Sequence, residues 1–380
     1  MIRLVLVGGG HSHLEILRRQ ILTPRRDLSL TLVSQFDRQH YSGMVPGFLA
    51  GLYSEPQISF ELSPLVTRAA GVFTRARVAG LRPGSRHVLL EHGEPIPYDL
   101  VSFGIGSGVS GSDTPGVREH AFSVKPIGQA VAVKAALETL AVRARGNGSP
   151  ARVTVVGAGA AGFEIACAAE AVLSGAAVLS GTAAQVVQLV DGGDQLLAGT
   201  PEPVRRLALK ALRSKSIGLR LGSRVTAVSA SGVVLATGET LPSDLTIWTT
   251  GPAAPEVFRD SGLALDPSGF LLVNDALRSI SDPAVLGAGD CVSLESHPET
   301  PKAGVYAVRE APILWESITA ALDGMPPPRY RPQSGFLSLL STADRRAVLH
   351  YGPVALWSSL SFRLKDAIDR RFVRRYQRLI

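Results

Sequence analysis

Arg152-Val-Thr-Val-Val156 runs directly into Gly157-Ala-Gly159-Ala-Ala-Gly162 and then into Phe163-Glu-Ile-Ala-Cys-Ala-Ala-Glu170. A short apolar run, spaced glycines and a longer apolar run predict a buried strand, a tight turn and a helix. Glycines at such a turn let the backbone approach a pyrophosphate, which then lies on the N-terminal amides of the helix. Gly157, Gly159 and Gly162 are therefore predicted to bind a dinucleotide.

A second copy of this pattern stands at the start of the chain. Arg3-Leu-Val-Leu-Val7 leads into Gly8-Gly9-Gly10-His11-Ser12-His13, and a helical stretch follows. His13 replaces the third glycine of the usual motif, so this copy is degraded by one position and its side chain must project elsewhere. One such motif is a weak signal because ordinary tight turns produce it by chance. Two motifs in one chain predict two nucleotide sites.

An acidic residue, Asp191, ends the strand predicted at 186–190. A carboxylate there would accept hydrogen bonds from both ribose hydroxyls and repel a 2′-phosphate, so NADH is expected to be preferred and NADPH stays open. The distance from Gly162 to Asp191 is 29 positions, whereas the usual gap is about 20 residues. The alternative is a turn acid in Asp191-Gly-Gly-Asp194.

Length and composition narrow the class of protein. The chain has 380 residues, which suggests two or three domains at roughly 150 residues each. An apolar fraction of 45% with 19% charged residues excludes disordered, collagenous and coiled-coil proteins. The net charge of +7 is spread along the chain until the Arg-rich C-terminus, and no basic and aromatic stripe suggests a nucleic-acid groove. We expect no nucleic-acid partner.

Cysteine usage and the apolar runs indicate the compartment. Cys167 and Cys291 are far apart and form no metal-ligand spacing, so we expect no metal site, no disulfide scaffold and a reducing, cytoplasmic location. Ile2–Val7 is too short for the apolar part of a signal peptide. The uncharged run at 171–190 carries Ser, Thr, Gln and Gly, so no membrane span is expected.

Three stretches rich in Gly and Pro predict the domain organisation. They lie at 106–116, 251–255 and 325–328. The expected fold is α/β, with two Rossmann-like domains and the second inserted into a discontinuous first. The predicted bounds are 1–115 with 255–328 for the first domain, 116–254 for the second, and 329–380 for an α/β appendage.

The appendage ends in a basic amphipathic helix. Apolar residues recur there at a spacing of four; they are Leu360, Leu364, Ile368, Phe372 and Tyr376, with Leu379 beyond them. The stripe could enter an anionic membrane surface from the inner face, where nearby arginines add attraction. The alternative, which we favour, is packing on the protein's own body or on a second subunit, with Asp366 and Arg370 paired across one turn. Peripheral membrane contact and a homodimer therefore stay open.

The order of these motifs resembles that of flavoproteins with two dinucleotide-binding folds, the pyridine nucleotide-disulphide oxidoreductase superfamily. The shared elements are the two glycine motifs, Thr249-Thr250-Gly251, Gly289-Asp290 and Pro301–Ala307. Within that superfamily the chain is similar to the flavoprotein module sometimes fused to selenide, water dikinase, and to type II NADH dehydrogenases. This second similarity is carried by Gly9–Glu15, Tyr41–Met44, Val124–Ile127, Phe336–Thr342 and Lys365–Phe372. The resemblance covers nearly the whole chain.

The resemblance implies FAD in the discontinuous domain and NAD(P)H in the inserted one. It implies that Gly8, Gly9 and Gly10 face the FAD pyrophosphate, that the Val78 backbone contacts adenine, and that Asp290 binds the ribityl chain. The other implied FAD contacts are His13, Ser34, Gly43, Met44, Gly106, Ala303, Gly304 and Val305. The nicotinamide nucleotide is expected at Gly157, Gly159, Gly162, Asp191 and Gly251.

The chain departs from the pattern of the relatives at two sites, the first-domain strand end and the quinone site. Ser34 ends the first-domain strand where most relatives place Glu or Asp on the adenosine ribose, which leaves one weaker hydroxyl bond. Val305 and Arg309 stand where type II NADH dehydrogenases carry quinone-site glutamines, which puts quinone reduction in doubt.

The implied reaction is hydride transfer from nicotinamide to flavin, followed by delivery of two electrons to an acceptor. Lys302, beside a helix predicted from Ala303, would stabilise the reduced flavin, and its alternative is a solvated surface cation. Glu164 would orient the nicotinamide or complement a helix dipole. Lys125 would cover the flavin or mark a crossover between domains, and we favour the crossover. His11 and His13 are expected at the phosphate end, without a catalytic role.

The sequence thus predicts an FAD-dependent NAD(P)H dehydrogenase without a redox-active disulfide. Its acceptor stays open among a quinone, an electron-transfer protein, a dye and oxygen. Cys167 and Cys291 are expected to be buried small apolar residues. The alternative is a flavin redox sensor whose redox state governs binding of a partner, with a link to selenium metabolism.

Overall fold

The computed structural model describes residues 1–147, 150–180 and 186–380. The chain begins in a first domain, and this segment contributes ten strands and three helices among the described residues. The strands are β1 (Ile2–Val7), β2 (Leu28–Ser34), β3 (Arg38–His40), β4 (Ser59–Glu61), β5 (Val72–Arg75), β6 (Val78–Arg82), β7 (His87–Leu90), β8 (Ile96–Pro97), β9 (Leu100–Phe103) and β10 (Gly108–Val109). The helices are α1 (His11–Leu22), α2 (Val45–Leu49) and α3 (Leu62–Arg68).

The chain then builds a second domain. Its helices are α4 (Val117–His120), α5 (Ala130–Asn147), α6 (Ala160–Ser180) and α7 (Glu202–Ser214). Its strands are β11 (Ala121–Ser123), β12 (Arg152–Val156), β13 (Val186–Val190), β14 (Gly218–Arg220), β15 (Val225–Ser229), β16 (Gly232–Leu235), β17 (Thr240–Pro242) and β18 (Leu245–Trp248).

After the second domain the chain returns to the first and ends in the appendage. The returning segment contains β19 (Pro252–Ala253), β20 (Leu271–Val273), β21 (Val285–Gly287), β22 (Val292–Leu294) and α8 (Gly304–Asp323). The appendage contains β23 (Ser338–Ser341), β24 (Ala347–Tyr351), β25 (Val354–Ser358) and α9 (Ser359–Gln377). Short 3-10 turns occur at Ser42–Met44, Glu55–Gln57, Ile127–Gln129 and Glu256–Phe258.

Each of the two main domains is built on a parallel five-stranded sheet. The strand order is β21-β9-β1-β2-β5 in the first sheet and β11-β18-β12-β13-β14 in the second. Because β21 comes from the returning segment, the first domain is discontinuous and the second is inserted into it. The predicted fold class is confirmed; the exact domain bounds stay a prediction.

The central strands of the first sheet are buried on both faces, as expected of parallel strands covered by helices, whereas the edge strand β5 is partly exposed. Leu4, Val5, Leu6 and Val7 of β1 are each at most 2% exposed. In register, Val7 lies opposite Val33 of β2 and Phe103 of β9. The residues that follow these strands therefore emerge together at one edge of the first sheet.

The second sheet repeats this arrangement. Val156 at the end of β12 lies opposite Val190 of β13 and Trp248 of β18. The glycine motif, Asp191 and Thr249 are thus brought to one edge. In the appendage, β23, β24 and β25 form an antiparallel sheet on which α9 packs. Among the described residues, no helix is both long enough and apolar enough to cross a membrane.

Candidate cofactor-binding site

A cavity of about 1300 Å³ opens at the carboxyl ends of the strands of the first sheet. Ligands of open α/β sheets bind at this edge. Ordinary small-molecule pockets have about 300–1,000 Å³, so this one can hold a dinucleotide. The predicted residues on its wall are Gly8, Gly9, Gly10, Ser34, Val78, Gly106, Asp290 and Gly304.

The first glycine turn has no room for side chains. Gly8 has a φ of +87°, a conformation that favours glycine. A Cβ atom at Gly10 would lie 2.3 Å from the carbonyl oxygen of Gly104. Gly10 is also the N-cap of α1 and offers no side-chain cap, so the first amides of this helix are left to a ligand. These features fit an anionic pyrophosphate.

His13 lies in the core beneath this turn and not on the cavity wall. Its Nδ1 lies 2.5 Å from the Gly8 carbonyl oxygen and its Nε2 lies 2.9 Å from the Ser102 hydroxyl. Burial lowers the pKa of His13 to about 4, so the ring is neutral at neutral pH. The implied contact of His13 with FAD is thus replaced by support of the turn, which accounts for the missing third glycine.

His11, two residues before His13 on α1, carries a buried nitrogen without a partner among the described residues. Its Nε2 has no hydrogen-bond partner among the described residues, and the residue lines the cavity. Its ring packs against Tyr41 and Phe372, with centroid distances of 5.4 and 5.6 Å. A buried polar atom of this kind normally finds a partner. This atom is itself buried, so a ligand in the open cavity would reach it only after the ring moves.

Another part of the cavity wall carries an ion pair. Asp290, three residues beyond β21, accepts a hydrogen bond from Lys125 Nζ at 2.9 Å, and the same ammonium donates to Ser107 Oγ at 2.8 Å. Gly304 begins the 20-residue helix α8 at this wall, with Ala303 as its N-cap. Lys125 therefore marks the crossover between domains and also reaches the cavity.

Lys302 is neither a solvated cation nor part of the large cavity. Its ammonium donates to the Val292 carbonyl oxygen and lies 4.5 Å from the centre of the Phe270 ring. Burial lowers the pKa of Lys302. It lines a separate, much smaller cavity together with Glu310, whose pKa is raised to about 7 by burial. Lys302 would therefore have to stabilise a reduced flavin through its charge, from behind the cavity wall.

Of four other predicted residues, Ser34 lines the cavity, and Gly43, Met44 and Val305 do not. Ser34 Oγ donates its hydroxyl proton to the Phe36 carbonyl oxygen at 3.0 Å, a hydrogen bond within the same turn. Gly43 and Met44 lie behind Ser42, which lines the cavity. Met44 is fully buried, and the Gly43 carbonyl oxygen accepts a hydrogen bond from Lys365 Nζ at 2.6 Å. Val305 follows Gly304 on α8.

Asp191 is hydrogen-bonded directly to the second glycine motif. Asp191 Oδ2 accepts a hydrogen bond from the Ala158 amide at 2.6 Å, and its Oδ1 accepts one from the Gly193 amide at 2.6 Å. A Cβ atom at Gly162 would lie 1.7 Å from the Gly157 carbonyl oxygen. The long spacing is absorbed in part by α6, which has 21 residues. Both carboxylate oxygens of Asp191 thus stabilise the turn, and its role in ribose binding stays a prediction.

Gly251 lies where the chain crosses from the second domain back to the first. Its carbonyl oxygen accepts a hydrogen bond from the Ser110 amide at 2.7 Å. Gly157, Gly159, Gly162 and Asp191 do not line the large cavity. The structure therefore places the two glycine motifs at separate sites, one at the edge of each sheet.

Glu164 faces the appendage. Its Oε1 accepts a hydrogen bond from the Ser341 amide of β23 at 2.7 Å. Burial raises the pKa of Glu164 to about 7, and the nearby ammonium of Lys365 opposes this shift. Lys365 also pairs with Asp369 at 2.7 Å. Sequence reasoning missed this buried network; its only local signal was a Lys and an Asp four residues apart in an otherwise arginine-rich helix.

Helix α9 does not present one continuous stripe. Leu360, Leu364 and Ile368 are 66%, 42% and 42% exposed. Phe372 instead stacks on Tyr41, with a centroid distance of 4.5 Å, and Tyr376 is 2% exposed. The expected pair of Asp366 and Arg370 is present, with an N–O distance of 2.8 Å. The C-terminal half of the stripe thus packs on the protein's body, and the N-terminal half does not.

The two cysteines are separate, buried thiols. Cys167 lies on α6 and Cys291 follows Asp290, and both are free. Burial raises the pKa of Cys291 to about 12 and raises that of Cys167 as well. In the described part of the chain, no group of three or more His, Cys, Asp and Glu side chains could hold a metal ion.

The raised pKa of Glu164 predicts a pH dependence of stability. The folded protein binds more protons at this site than the unfolded chain between pH 4.5, the ordinary value, and about 7. The stabilisation from the protonated form is therefore present below pH 4.5 and lost as pH rises through about 7. Relative to Glu164→Gln, the wild type should lose about 1–3 kcal/mol of unfolding free energy between about pH 5 and about pH 8.

Denaturant unfolding of both proteins at the two pH values measures this difference. Glu138→Gln, at an exposed carboxyl on α5, is the matched control and should follow the wild type. If Glu164→Gln and the wild type lose the same free energy, the carboxyl of Glu164 is not buried enough to resist ionisation.

Comparison with known proteins agrees with the two-site arrangement. Residues 2–311 match the family described as pyridine nucleotide-disulphide oxidoreductase. The NADH dehydrogenase-like protein YutJ of Bacillus subtilis is 26% identical over 355 residues, which cover 91% of each chain. The type II NADH:quinone oxidoreductase Ndh of Mycobacterium tuberculosis is 26% identical over 379 residues, which cover 93% of this chain and 80% of that protein.

Solved structures share the fold over the whole chain. NDH2 from Plasmodium falciparum, solved in complex with NADH, superimposes with a TM-score of 0.82 at 14% identity and covers 100% of this chain and 99% of that one. The sulfide:quinone oxidoreductase of Aquifex aeolicus gives a TM-score of 0.81 at 17% identity and covers 100% and 92%. The first domain has a glycine turn and a dinucleotide-sized cavity, and the second has a glycine turn bonded to Asp191. Together with the match over residues 2–311, these features show that the chain belongs to the pyridine nucleotide-disulphide oxidoreductase family.

Proposed function

We propose that the chain is an FAD-dependent NAD(P)H dehydrogenase. The observation that carries the proposal is the pair of strand–glycine–helix units. The unit of the first domain lines a large cavity, and the unit of the second domain is hydrogen-bonded to Asp191. When bound, the flavin would accept a hydride from the nicotinamide and pass two electrons to an acceptor. The names of the relatives support a dehydrogenase, and they give no support to the alternative of a redox sensor.

The residues of this chain bind and orient the cofactor. The turn Gly8–Gly10 and the first amides of α1 would hold the pyrophosphate. Asp290 would accept hydrogen bonds from the ribityl chain, and the first amides of α8 at Gly304 would face developing negative charge. His11 adds a neutral ring to the cavity wall, since burial lowers its pKa to about 4.

NADH is the proposed nucleotide because Asp191 ends β13 beside the second glycine turn. Its carboxylate would accept from the ribose hydroxyls and repel a 2′-phosphate. A quinone is the first acceptor to test, because one relative is named a type II NADH:quinone oxidoreductase and another a demethylphylloquinone reductase. An electron-transfer protein is the second, since Val305 and Arg309 differ from the quinone-site glutamines that the resemblance implies.

Purified protein is expected to be yellow, and heating should release FAD and not FMN. Anaerobic NADH should bleach the flavin absorbance, and an added quinone should restore it repeatedly. Turnover is then compared between quinones, small electron-transfer proteins and dyes. A colourless protein that FAD does not reconstitute would remove the basis of the proposal, and a flavin that NADH does not reduce would remove the dehydrogenase.

We further propose that the exposed half of α9 contacts an anionic membrane surface. Leu360, Leu364 and Ile368 lie beside exposed Arg363 and Arg371, which suits a headgroup boundary. A variant with all three apolar residues changed to Gln should bind anionic vesicles at least about tenfold more weakly, at about 0.8 kcal/mol for each buried methylene. Deleting the whole helix is a poorer test, because its buried residues pack on the protein's body.

Liposome flotation at low and high salt measures this binding. Val142→Gln, at a valine that is 59% exposed on α5, is the matched control and should float like the wild type. Failure of the intact protein to bind anionic vesicles at low salt would leave this face without a membrane role, and soluble acceptors would become the better candidates.

A further inference from the structure

Lys125 reaches from the second domain into the cavity of the first. It follows β11, and its backbone is fixed by Ser123, whose hydroxyl accepts from the Lys125 amide at 3.1 Å and donates to the Lys125 carbonyl oxygen at 2.8 Å. Its ammonium bonds to Ser107, beyond β9, and to Asp290, beyond β21. Lys125 therefore joins the carboxyl ends of strands from both sheets.

The ammonium of Lys125 lies on the wall of the cavity. Lys125, Ser107 and Asp290 all line it, and the side chains of Lys125 and Asp290 are 31% and 16% exposed. An ammonium has three hydrogen-bond donors, and Ser107 and Asp290 use two of them. One donor is left for a ligand, and the positive charge is only partly solvated.

The contact between Lys125 and Asp290 links the two domains and also changes the electrostatics of the cavity wall, because Asp290 is charged. An unpaired carboxylate on the cavity wall would repel a flavin that gains negative charge on reduction, and charges act strongly where water is partly excluded. Lys125 offsets that carboxylate and holds its Oδ2. Among the described residues Asp290 Oδ1 makes no hydrogen bond, so it can accept from a ribityl hydroxyl.

We propose that Lys125 is a positioning residue of the flavin site, which orients Asp290 and places a positive charge that favours the reduced flavin. The inference rests on the proposed function and adds to it a residue that controls the flavin's reduction potential. No bond is made or broken at Lys125. The competing explanation is a purely structural tie between the two domains.

The test compares Lys125→Met, Lys125→Arg and Lys134→Met as FAD-loaded proteins. Lys134 is the matched control, because it pairs with Glu138 on α5 and does not line the cavity. Three quantities are measured: the thermal midpoint, the dissociation constant for FAD, and the midpoint potential of the bound flavin by equilibration with a reference dye. Bleaching of the wild type by NADH is recorded separately, because it tests the proposed function and not the role of Lys125.

Lys125→Met should fold and lower the equilibrium constant for flavin reduction about tenfold, which is about 30 mV for a two-electron couple. Lys125→Arg should keep a potential close to that of the wild type, and Lys134→Met should match the wild type in all three measurements. Loss of FAD by Lys125→Met alone, with an unchanged thermal midpoint, also supports positioning through Asp290. An unchanged potential in Lys125→Met overturns the proposal, and so does loss of FAD or of folding in both variants at position 125.

Discussion

Replacing Gly162 with alanine is expected to slow reduction of the protein by NADH at least about 100-fold, while the same change at Gly159 leaves the fold intact. An alanine Cβ at Gly162 would lie 1.7 Å from the Gly157 carbonyl oxygen and 2.8 Å from Thr249 Oγ1. Helix α6 would have to move away from β12, which displaces both the turn and its amides. Because a shift of about 1 Å can cost about 100-fold in rate, we expect at least that loss in flavin reduction by NADH.

Gly159 is the matched control within the same motif. A Cβ there would meet no atom within 4 Å, so Gly159→Ala should keep the thermal midpoint of the wild type. Its methyl group would instead crowd the approach of a pyrophosphate and weaken NADH binding several-fold. Stopped-flow reduction by NADH measures both effects, with dithionite reduction as proof that the flavin remains bound and active. Wild-type rates in Gly162→Ala would show that the second domain does not hold the nucleotide.

Replacing Gly10 with alanine is expected to remove the flavin from the first domain. The new Cβ would lie 2.3 Å from the Gly104 carbonyl oxygen, to which the Gly10 amide already donates at 3.1 Å. Overpacking of this kind costs about 1–3 kcal/mol. Here the atoms that must move are backbone atoms of the cavity wall itself, so binding should suffer more than stability.

The measurements are the flavin content of the purified protein and its thermal midpoint. Gly84→Ala is the control, since Gly84 is exposed and a Cβ there meets no atom within 4 Å. We expect the control to retain the cofactor and Gly10→Ala to lose most of it. Full occupancy of Gly10→Ala with FAD would place the pyrophosphate away from this turn.

The sequence by itself was sufficient for the two strand–glycine–helix units and for the fold class that they define. Local constraints explain this success. Gly8 and Gly157 have φ values of +87° and +113°, which few other residues adopt, and buried parallel strands read as short apolar runs. The position of Asp191 at the edge of the second sheet could be predicted in spite of its long spacing from Gly162. Asp191 directly follows the strand that neighbours β12 in the sheet.

Only the tertiary structure decided what surrounds these units. His13 points into the core, Glu164 bonds to the appendage, and α9 buries one half of its apolar stripe and exposes the other. Lys125 meets Asp290 across 165 residues of chain. A sequence pattern records periodicity and local conformation, whereas these contacts depend on how separate segments pack. Which charge is paired, buried or exposed is therefore set by the folded domains and not by any stretch of the sequence alone.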